Sequence, residues 1–563
     1  MKKFRVLSLL IAIAMLIAMA GCQSAAPATS GAATVAPATD APAATPAAEP
    51  TPKGEPAKIS YYRAAPNNTK LITNWSDAIW VQTLEEKMNV KFDFQGPAAG
   101  EDYNQAANVM LASGTLTDLF YHNFNNYDGG LSAAIADGIV IDFSKNEKYK
   151  ALVPNWFALL DSNDAIRRSV TLDDGTSALF CHVDTDLRRG AYWGLGIRSD
   201  WLKKLNLTAP TTIDELYNVM VAFRDKDPNG NGKADEIGIT DWNCANGTWY
   251  FTLSDIISAY GLLWQETQID PTTGKVNYWI NVNDGKNFQE LVTTLNKWYT
   301  EKLLDPEWSV QDGSAQDAKV TGDRVGVLHV WPSNFNIFQT ALRKTVPDAT
   351  FEGLTPLKGP DGKPYSPNSA LVRPAASTEG TVVTPQAEKD GVAEACFNLI
   401  NFMYSQEGSD IINWGKEGVS YTVGADGKKA WTDEVAKDPE FTINDKVNKY
   451  AIPTFGSWPK MMSYEAWGSI ELNTPESTEA HKKWATGDGS LCLPNLTLSA
   501  QESKDYAKIM NDVKTAILEN FVKFVVGQRP VSEVPDLVKQ CKDMGLEDAM
   551  KLYQGAYDRY MAK

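Results

Sequence analysis

The sequence predicts an α/β protein of two or more lobes. Apolar residues switch repeatedly between a period of two and a helical period, which indicates strands alternating with helices and a largely parallel sheet. The body beyond the N-terminal region runs to about 500 residues, more than one core supports. Residues 58–62 read as a first strand and are followed by a polar loop. Ser76 is expected to cap a helix carrying Ile79, Trp80, Leu84 and Met88 at helical spacing. Residues 90–94 alternate as a second strand, 104–112 are helical, and 119–121 form a short strand. Ligands of such sheets sit at strand carboxyl ends, so loops 63–68 and 121–126 are candidate site walls.

Further on, Thr212 and Glu215 form an expected capping box, with Leu216, Val219, Met220 and Phe223 following at helical spacing. Pro228, Gly230 and Gly232 stop that helix before a short strand at 237–239. Amphipathic helices are expected at 288–299, 394–404, 505–526 and 543–560. No internal repeat is visible.

The N-terminus has a secretory pattern. Lys2, Lys3 and Arg5 precede a short apolar run that ends in Met19-Ala20-Gly21-Cys22. The run is too short to span a bilayer comfortably. Cys22 directly after Ala-Gly resembles the bacterial lipobox, in which the cysteine is acylated; Met19 stands where leucine is usual. Residues 1–21 are thus read as a signal peptide and Cys22 as the lipidation site. Residues 22–57 are read as a linker of Ala, Pro, Thr, Ser and Gly, too poor in large apolar groups to offset its ordering entropy.

The formal charge is −17, and removing Lys2, Lys3 and Arg5 leaves 50 basic against 70 acidic side chains, or −20. Such a surface argues against nucleic acid and anionic headgroups as direct partners. Cys181, Cys244, Cys396, Cys492 and Cys541 are an odd set with no CxxC pair, which suggests no zinc or iron–sulfur site. One or two disulfides and buried free thiols both remain open.

Several segments then resemble a known family. They are Leu111-Ala112-Ser113-Gly114 with Thr117-Asp118-Leu119, Ala136-Asp137-Gly138 leading to Asp142, and Ile197 to Leu205. Pro210 to Leu216, Gly322 to Gly326 and Gly415 to Thr422 follow in the same order. Together they resemble the extracellular solute-binding proteins of family 1, the carbohydrate ABC-importer lipoproteins of Gram-positive bacteria related to alginate-oligosaccharide binding proteins. The resemblance implies a two-lobed, periplasmic-binding-protein-like type II fold, each lobe discontinuous, with a hinge and an interlobe ligand cleft. On that basis lobe 1 is expected over 58–187 and 371–459, and lobe 2 over 188–370 and 460–563, with crossings near Arg188, Leu371 and Lys460. It further implies an oligosaccharide ligand, ABC permease partners, a monomer tethered to the outer face of the cell membrane, and no catalysis.

The loop at 225–236 is the sharpest chemical signal. Alternating oxygen donors with glycine at the sixth place wrap calcium, which accepts six to eight oxygens. One register runs from Asp225 to Glu236 with Gly230 sixth; the other takes Asp227, Asn229, Asn231, the Lys233 carbonyl, Asp235 and Glu236, with Gly232 sixth. The family resemblance favours the second, with calcium (Ca2+) in a structural role.

The chain carries 17 Trp and 21 Tyr. Sugar rings pack their C–H faces on indole while their hydroxyls need polar partners. Aromatic candidates are Trp242 beside Asn243, Trp249, Trp264, Trp331, Trp458 and Trp467, whereas Trp80, Trp201, Trp298 and Trp484 lie in helical patterns and read as core. Polar candidates are Arg63, Asn67, His122, Asn123, Arg373 and Glu417, and Arg198 reads as structural. Core packing is an equal alternative for each aromatic taken singly, and an ordinary loop or surface role for each polar one.

The rival class is a secreted glycoside hydrolase, which needs two carboxylates about 5–5.5 or 6.5–9.5 Å apart. No motif nominates such a pair, and no GxSxG elbow, HExxH helix or phosphate-cradling loop occurs. A structural adhesin would explain the anchor but not the α/β alternation. Within the binders, a non-sugar solute such as a peptide is the alternative ligand.

Overall fold

In the computed structural model, residues 54–563 are described except 67–69, 98–100, 245–248, 369–370, 372–374, 378, 439 and 455–457. Only the backbone is described for Asn243, Cys244, Trp249, Tyr250 and Ala375. The signal peptide, Cys22 and nearly all of the linker therefore lie outside the described residues.

The first sheet forms where alternation is cleanest. Val90–Gln95 sends Val90 and Phe92 inward and Lys91 and Asp93 outward, and it pairs in parallel with Ala57–Tyr62. Leu119–Asn123 continues the parallel order, and Glu379–Val383 closes the edge in the antiparallel sense. Asp118 ties the start of the third strand to the first, accepting hydrogen bonds from the Ser60 amide at 2.7 Å and the Ser60 hydroxyl at 2.6 Å. Helix Ile79–Met88 covers this sheet with Trp80, Val81 and Leu84. It is not capped by Ser76: Asn74 caps a short turn at Trp75–Asp77 instead, and the helix begins after Ala78. Trp156, Phe180 and Phe397 complete this core.

The second sheet departs from the expected parallel order. Its sequence is Phe351–Gly353, Gly194–Arg198, Val325–Val330, Ile237–Ile239, and only the last pair is parallel. All six residues of Val325–Val330 are buried. Gly326 is required there because an added Cβ would lie 2.4 Å from the Phe223 ring. Helix Ile213–Asp225 supplies that ring. Thr212 caps it, accepting from the Glu215 amide at 3.1 Å, while the Glu215 carboxylate accepts from the Thr211 amide at 2.7 Å.

The core beneath the second sheet is helical and rich in indole. Trp264, Trp279, Trp298 and Trp308 gather around Phe288 and Phe521. Helix Ala500–Val525 brings Phe521 in and packs on Lys286–Thr300 and Leu546–Ala562. The expected helix at 543–560 forms as Leu546–Ala562; a further helix, Val534–Asp543, precedes it, and Gly545 at a φ of 100° caps the start of the later one. Arg198 is fully buried and ion-pairs with Asp200 at 2.6 Å and with Asp323, which agrees with its structural reading.

A third sheet joins short strands from distant parts of the chain. His182–Asp184 pairs antiparallel with Ala375–Ala376 and in parallel with Lys460–Met461. Among the described cysteines, Cys181, Cys396, Cys492 and Cys541 are buried free thiols rather than disulfides. No described helix is long and apolar enough to cross a membrane.

Replacing Trp298, 1 % exposed, by alanine is expected to cost about 3–5 kcal/mol through lost burial and a residual cavity. Equilibrium denaturant unfolding measures this, and a loss below 1 kcal/mol would show that the site relaxes around the gap.

Candidate functional site

Strand Val325–Val330 ends at Trp331, and its parallel neighbour Ile237–Ile239 leads through Thr240 and Asp241 to Trp242. Because Gly194–Arg198 runs the other way, Gly194 stands opposite Val330 and places Tyr192 and Trp193 at the same edge. Phe251 enters from the first turn of helix Phe251–Ser258. These rings form an aromatic basin. Phe251 lies 5.3 Å from Trp242, 5.7 Å from Trp193 and 5.2 Å from Trp331. The His329 ring lies 4.8 Å from Trp193 and 4.9 Å from Trp331. Tyr192, Trp242, Phe251 and Trp331 are half-buried and so keep open faces, while Trp193 and His329 are buried.

A buried polar net holds the basin's rim. Asp241, fully buried, accepts from the amides of Trp242 at 2.7 Å and Leu253 at 2.8 Å, binding the loop to the helix that carries Phe251. Burial pushes the Asp241 carboxyl up to about 7. Gln311 donates to the Asp241 carbonyl at 2.5 Å and to the Asp305 carboxylate at 2.9 Å, and Asp305 also accepts from Thr240 at 2.7 Å. Burial alone would raise Asp305, but the Lys319 ammonium at 2.8 Å and the Thr240 hydroxyl hold it below the ordinary carboxylate value.

At the carboxyl end of Ala57–Tyr62, Arg63 occupies an aromatic cage. Its guanidinium lies 3.9 Å from the Trp458 ring, 4.9 Å from Tyr121, 5.1 Å from Tyr61 and 5.9 Å from Trp75. It donates to the Tyr61 hydroxyl at 2.9 Å. Gly96 lets this turn close, since an added Cβ would sit 1.9 Å from the Arg63 carbonyl oxygen.

Of the expected ligand contacts, Trp242 and Trp331 are brought together in the basin. Trp264, Trp458 and Trp467 are not presented to a ligand: all three are at most 2 % exposed. Trp264 packs on Trp279 and Phe521, Trp458 on Trp80 and Arg63, and Trp467 on His481. His122 is likewise fully buried among Phe120 and Phe124, and burial pushes its pKa down to about 4. Asn123 accepts from the Asn125 amide at 3.1 Å and caps the turn after its strand, and Glu417 is exposed in a loop. Asn67 and Arg373 lie outside the described residues, as do the side chains of Asn243 and Trp249. Tyr192, Trp193, Phe251 and His329 are not singled out by the sequence; Tyr192 and Trp193 directly precede the Gly194-Leu195-Gly196 strand and His329 lies within the buried run 325–330, while nothing local marks Phe251.

In the loop after helix Ile213–Asp225, Asp227, Gly230 and Gly232 take positive φ. The Asp227 carboxylate accepts from the amides of Gly230 at 2.8 Å, Asn231 at 3.0 Å and Gly232 at 3.0 Å. Asn229 and Asn231 both donate towards Asp235, while Asp225 turns away to Arg224 at 2.7 Å. Glu236 is buried, and neither carboxylate oxygen has a partner among the described residues. Burial, then the charges of Asp227 and Asp235, raise its pKa. No cluster of three His, Cys, Asp or Glu able to hold a metal occurs among the described residues. The loop's donor set depends on asparagine oxygens as well as carboxylates. An orphaned buried carboxylate next to Asp227 and Asp235 fits a hard cation, which would supply the missing positive charge.

A cavity of about 800 Å³ lies elsewhere, between helices Pro154–Ser162 and Gln406–Trp414 and residues Met461 to Ser463. It shares no lining residue with the basin.

No family model matches the chain. It is 24 % identical over 515 residues to the fructooligosaccharide ABC transporter substrate-binding protein FusA of Streptococcus pneumoniae, covering 86 % of this chain and 88 % of FusA. Lipoprotein LipO of Bacillus subtilis is 24 % identical over 478 residues, covering 81 % and 84 %. The polygalacturonan/rhamnogalacturonan-binding protein YtcQ of Bacillus subtilis is 25 % identical over 408 residues, covering 70 % and 72 %. Among solved structures, the alginate-binding protein AlgQ2 without calcium ion superposes with a TM-score of 0.71 at 22 % identity, covering 90 % of this chain and 99 % of AlgQ2. An EF-hand mutant of Streptococcus pneumoniae FusA in complex with fructo-nystose gives 0.69 at 20 % identity, covering 90 % and 99 %. The chain is thus similar along most of its length to ABC transporter substrate-binding proteins, and it shares the two-lobed α/β type II frame of the solved ones.

Proposed function

We propose that this chain is the substrate-capturing lipoprotein of an ABC importer, holding an oligosaccharide between its lobes and delivering it to a membrane permease. The observation that carries this reading is the basin of Tyr192, Trp242, Phe251 and Trp331 at strand ends. Half-buried indole and phenyl faces suit the C–H faces of pyranose or furanose rings. The relatives named for binding fructooligosaccharides and polygalacturonan favour a sugar over a peptide. They also favour a binder over a hydrolase.

Lobe 1 is taken as 58–187 with 371–459 and lobe 2 as 188–370 with 460–563. Their hinge is placed at the third sheet, where His182–Asp184, Ala375–Ala376 and Lys460–Met461 run side by side. Ligand then favours the closed form only as far as it binds that form more tightly. Cys22 is the acylated anchor, and the linker lets a monomeric body reach a permease at the outer face of the membrane. Asp227, Asn229, Asn231, the Lys233 carbonyl, Asp235 and Glu236 would hold one calcium ion, which supplies charge neutralisation to the loop and no chemistry.

Thermal unfolding of residues 58–563 in calcium tests the reading against kestose, nystose, polygalacturonan fragments and milk oligosaccharides. A ligand at a hundredfold excess over its Kd adds about 2.7 kcal/mol, so one glycan class is expected to raise the Tm by several degrees without cleavage products. No shift across the panel would overturn the sugar reading. Trp331→Ala is expected to weaken that sugar about 30-fold, the effect of losing an aromatic anchor worth about 2 kcal/mol. Calorimetric titration reads this, with an unchanged circular dichroism spectrum as control.

The calcium loop has its own pH signature. The Glu236 carboxyl is raised above its ordinary value of 4.5. Its contribution to stability is therefore full below that value and lost as pH rises through the higher folded-state pKa. The metal-free protein is expected to lose stability in that window and calcium to restore it. Glu236→Gln should abolish the calcium-dependent rise in Tm while leaving the chelator-treated protein at least as stable at neutral pH. A full calcium response in that variant would remove Glu236 from the loop's ligand set.

A further inference from the structure

His329 is held on three sides. Its amide donates to the Thr252 hydroxyl at 3.0 Å, and its Nδ1 meets the Asp255 carboxylate at 3.0 Å. Both partners lie on helix Phe251–Ser258. The ring stands edge-on to Trp193 and Trp331, at interplanar angles of 89° and 81°, and lies 5.2 Å from Phe251. Its Nε2 is buried and has no hydrogen-bond partner among the described residues. The side chain is 2 % exposed, so water does not satisfy that nitrogen freely.

Packing alone does not account for this arrangement. A phenylalanine would fill the same slot between the indoles without burying an orphan nitrogen, and buried polar groups are nearly always paired. A carboxylate can only accept, so the hydrogen shared with Asp255 sits on Nδ1. In the neutral ring that leaves Nε2 as a bare lone pair, a strong acceptor set among the aromatic faces of Trp193, Phe251 and Trp331. A sugar hydroxyl brings the donor that such a lone pair lacks.

We propose that His329 is a specificity-determining residue of the basin, its Nε2 accepting a hydrogen bond from a hydroxyl of the bound sugar, with Asp255 as the positioning residue that fixes the tautomer. This rests on the oligosaccharide reading and assigns the polar recognition within it. An all-aromatic basin would grip any ring by its C–H face, whereas one fixed acceptor selects rings that present a hydroxyl at that point.

The test uses the chain labelled with ¹⁵N-histidine, whose four histidines are assigned by the signal lost in His329→Phe. In the ligand-free protein, long-range proton–nitrogen spectra at neutral pH are expected to show the His329 proton on Nδ1 and a bare Nε2. A proton on Nε2 would overturn the proposal before any sugar is added. With kestose, or the panel sugar that raises the Tm, the Nε2 resonance is expected to move as a lone pair does on accepting a hydrogen bond. His329→Phe should weaken that sugar about tenfold. His329→Gln, whose side-chain amide can place an oxygen near the Nε2 position, should recover part of the loss. Asp255→Asn should shift the proton distribution between the ring nitrogens and weaken binding less than His329→Phe does. An unmoved Nε2 with normal affinity in His329→Phe, beside weakened binding in Trp331→Ala, would overturn the role of His329 and leave the oligosaccharide reading standing. Failure of the wild-type chain to bind any sugar would overturn both.

Discussion

Strand His182–Asp184 has on one side Ala375–Ala376 and on the other Lys460–Met461, both drawn from far along the C-terminal half of the chain. Each pairing has only two residues in register, so backbone hydrogen bonds alone hold them weakly. Buried charge reinforces the junction. Arg189 pairs with Asp184 at 2.9 Å and donates to the Thr454 carbonyl at 2.7 Å, with both side chains of the pair less than 10 % exposed. Lys460 is fully buried and donates to the Ile452 carbonyl, and burial pushes its pKa far below the usual lysine value. Removing one partner of such a set strands the other in a low dielectric, which is typically worth about 3–5 kcal/mol. Val183, Ala376 and Met461 of these strands also pack into the core beneath the first sheet.

The same logic sets the basin. Trp331 and Trp242 leave neighbouring parallel strands, and Trp193 reaches the same edge only because its strand is antiparallel. A fully parallel sheet would have put residues 192–193 at the opposite edge. The direction of one strand therefore decides whether the aromatic set converges. The Asp241 net then fixes the loop and the helix to each other, so the ring faces are arranged before a ligand arrives.

Much of the fold was legible because it rests on local signals. Val90 to Phe94 alternates, Thr212 precedes a helical stripe, and Gly230 and Gly232 interrupt it; each fact is short-range. Strand direction was not legible, since Gly194–Arg198 reads the same either way along the chain. The site was half legible for the same reason. Trp331 and Trp242 could be found from their place after buried strands. Trp458 and Trp264 could not be set aside, because their burial depends on Arg63 and Phe521, hundreds of residues away in sequence. His329 escaped notice because every residue of its strand is buried and no alternation singles it out.

The buried thiols bear on how the protein comes apart. Cys181 and Cys396 belong to the core beneath the first sheet, and Cys541 to the core beneath the second. Burial pushes Cys181 up to about 12 and Cys541 up to about 11, so both stay protonated and unreactive at neutral pH. A thiol reagent can reach them only when the surrounding core opens. Each half of the molecule thus carries its own chemical clock, and the order in which these cysteines become modifiable under mild denaturation would identify which half yields first.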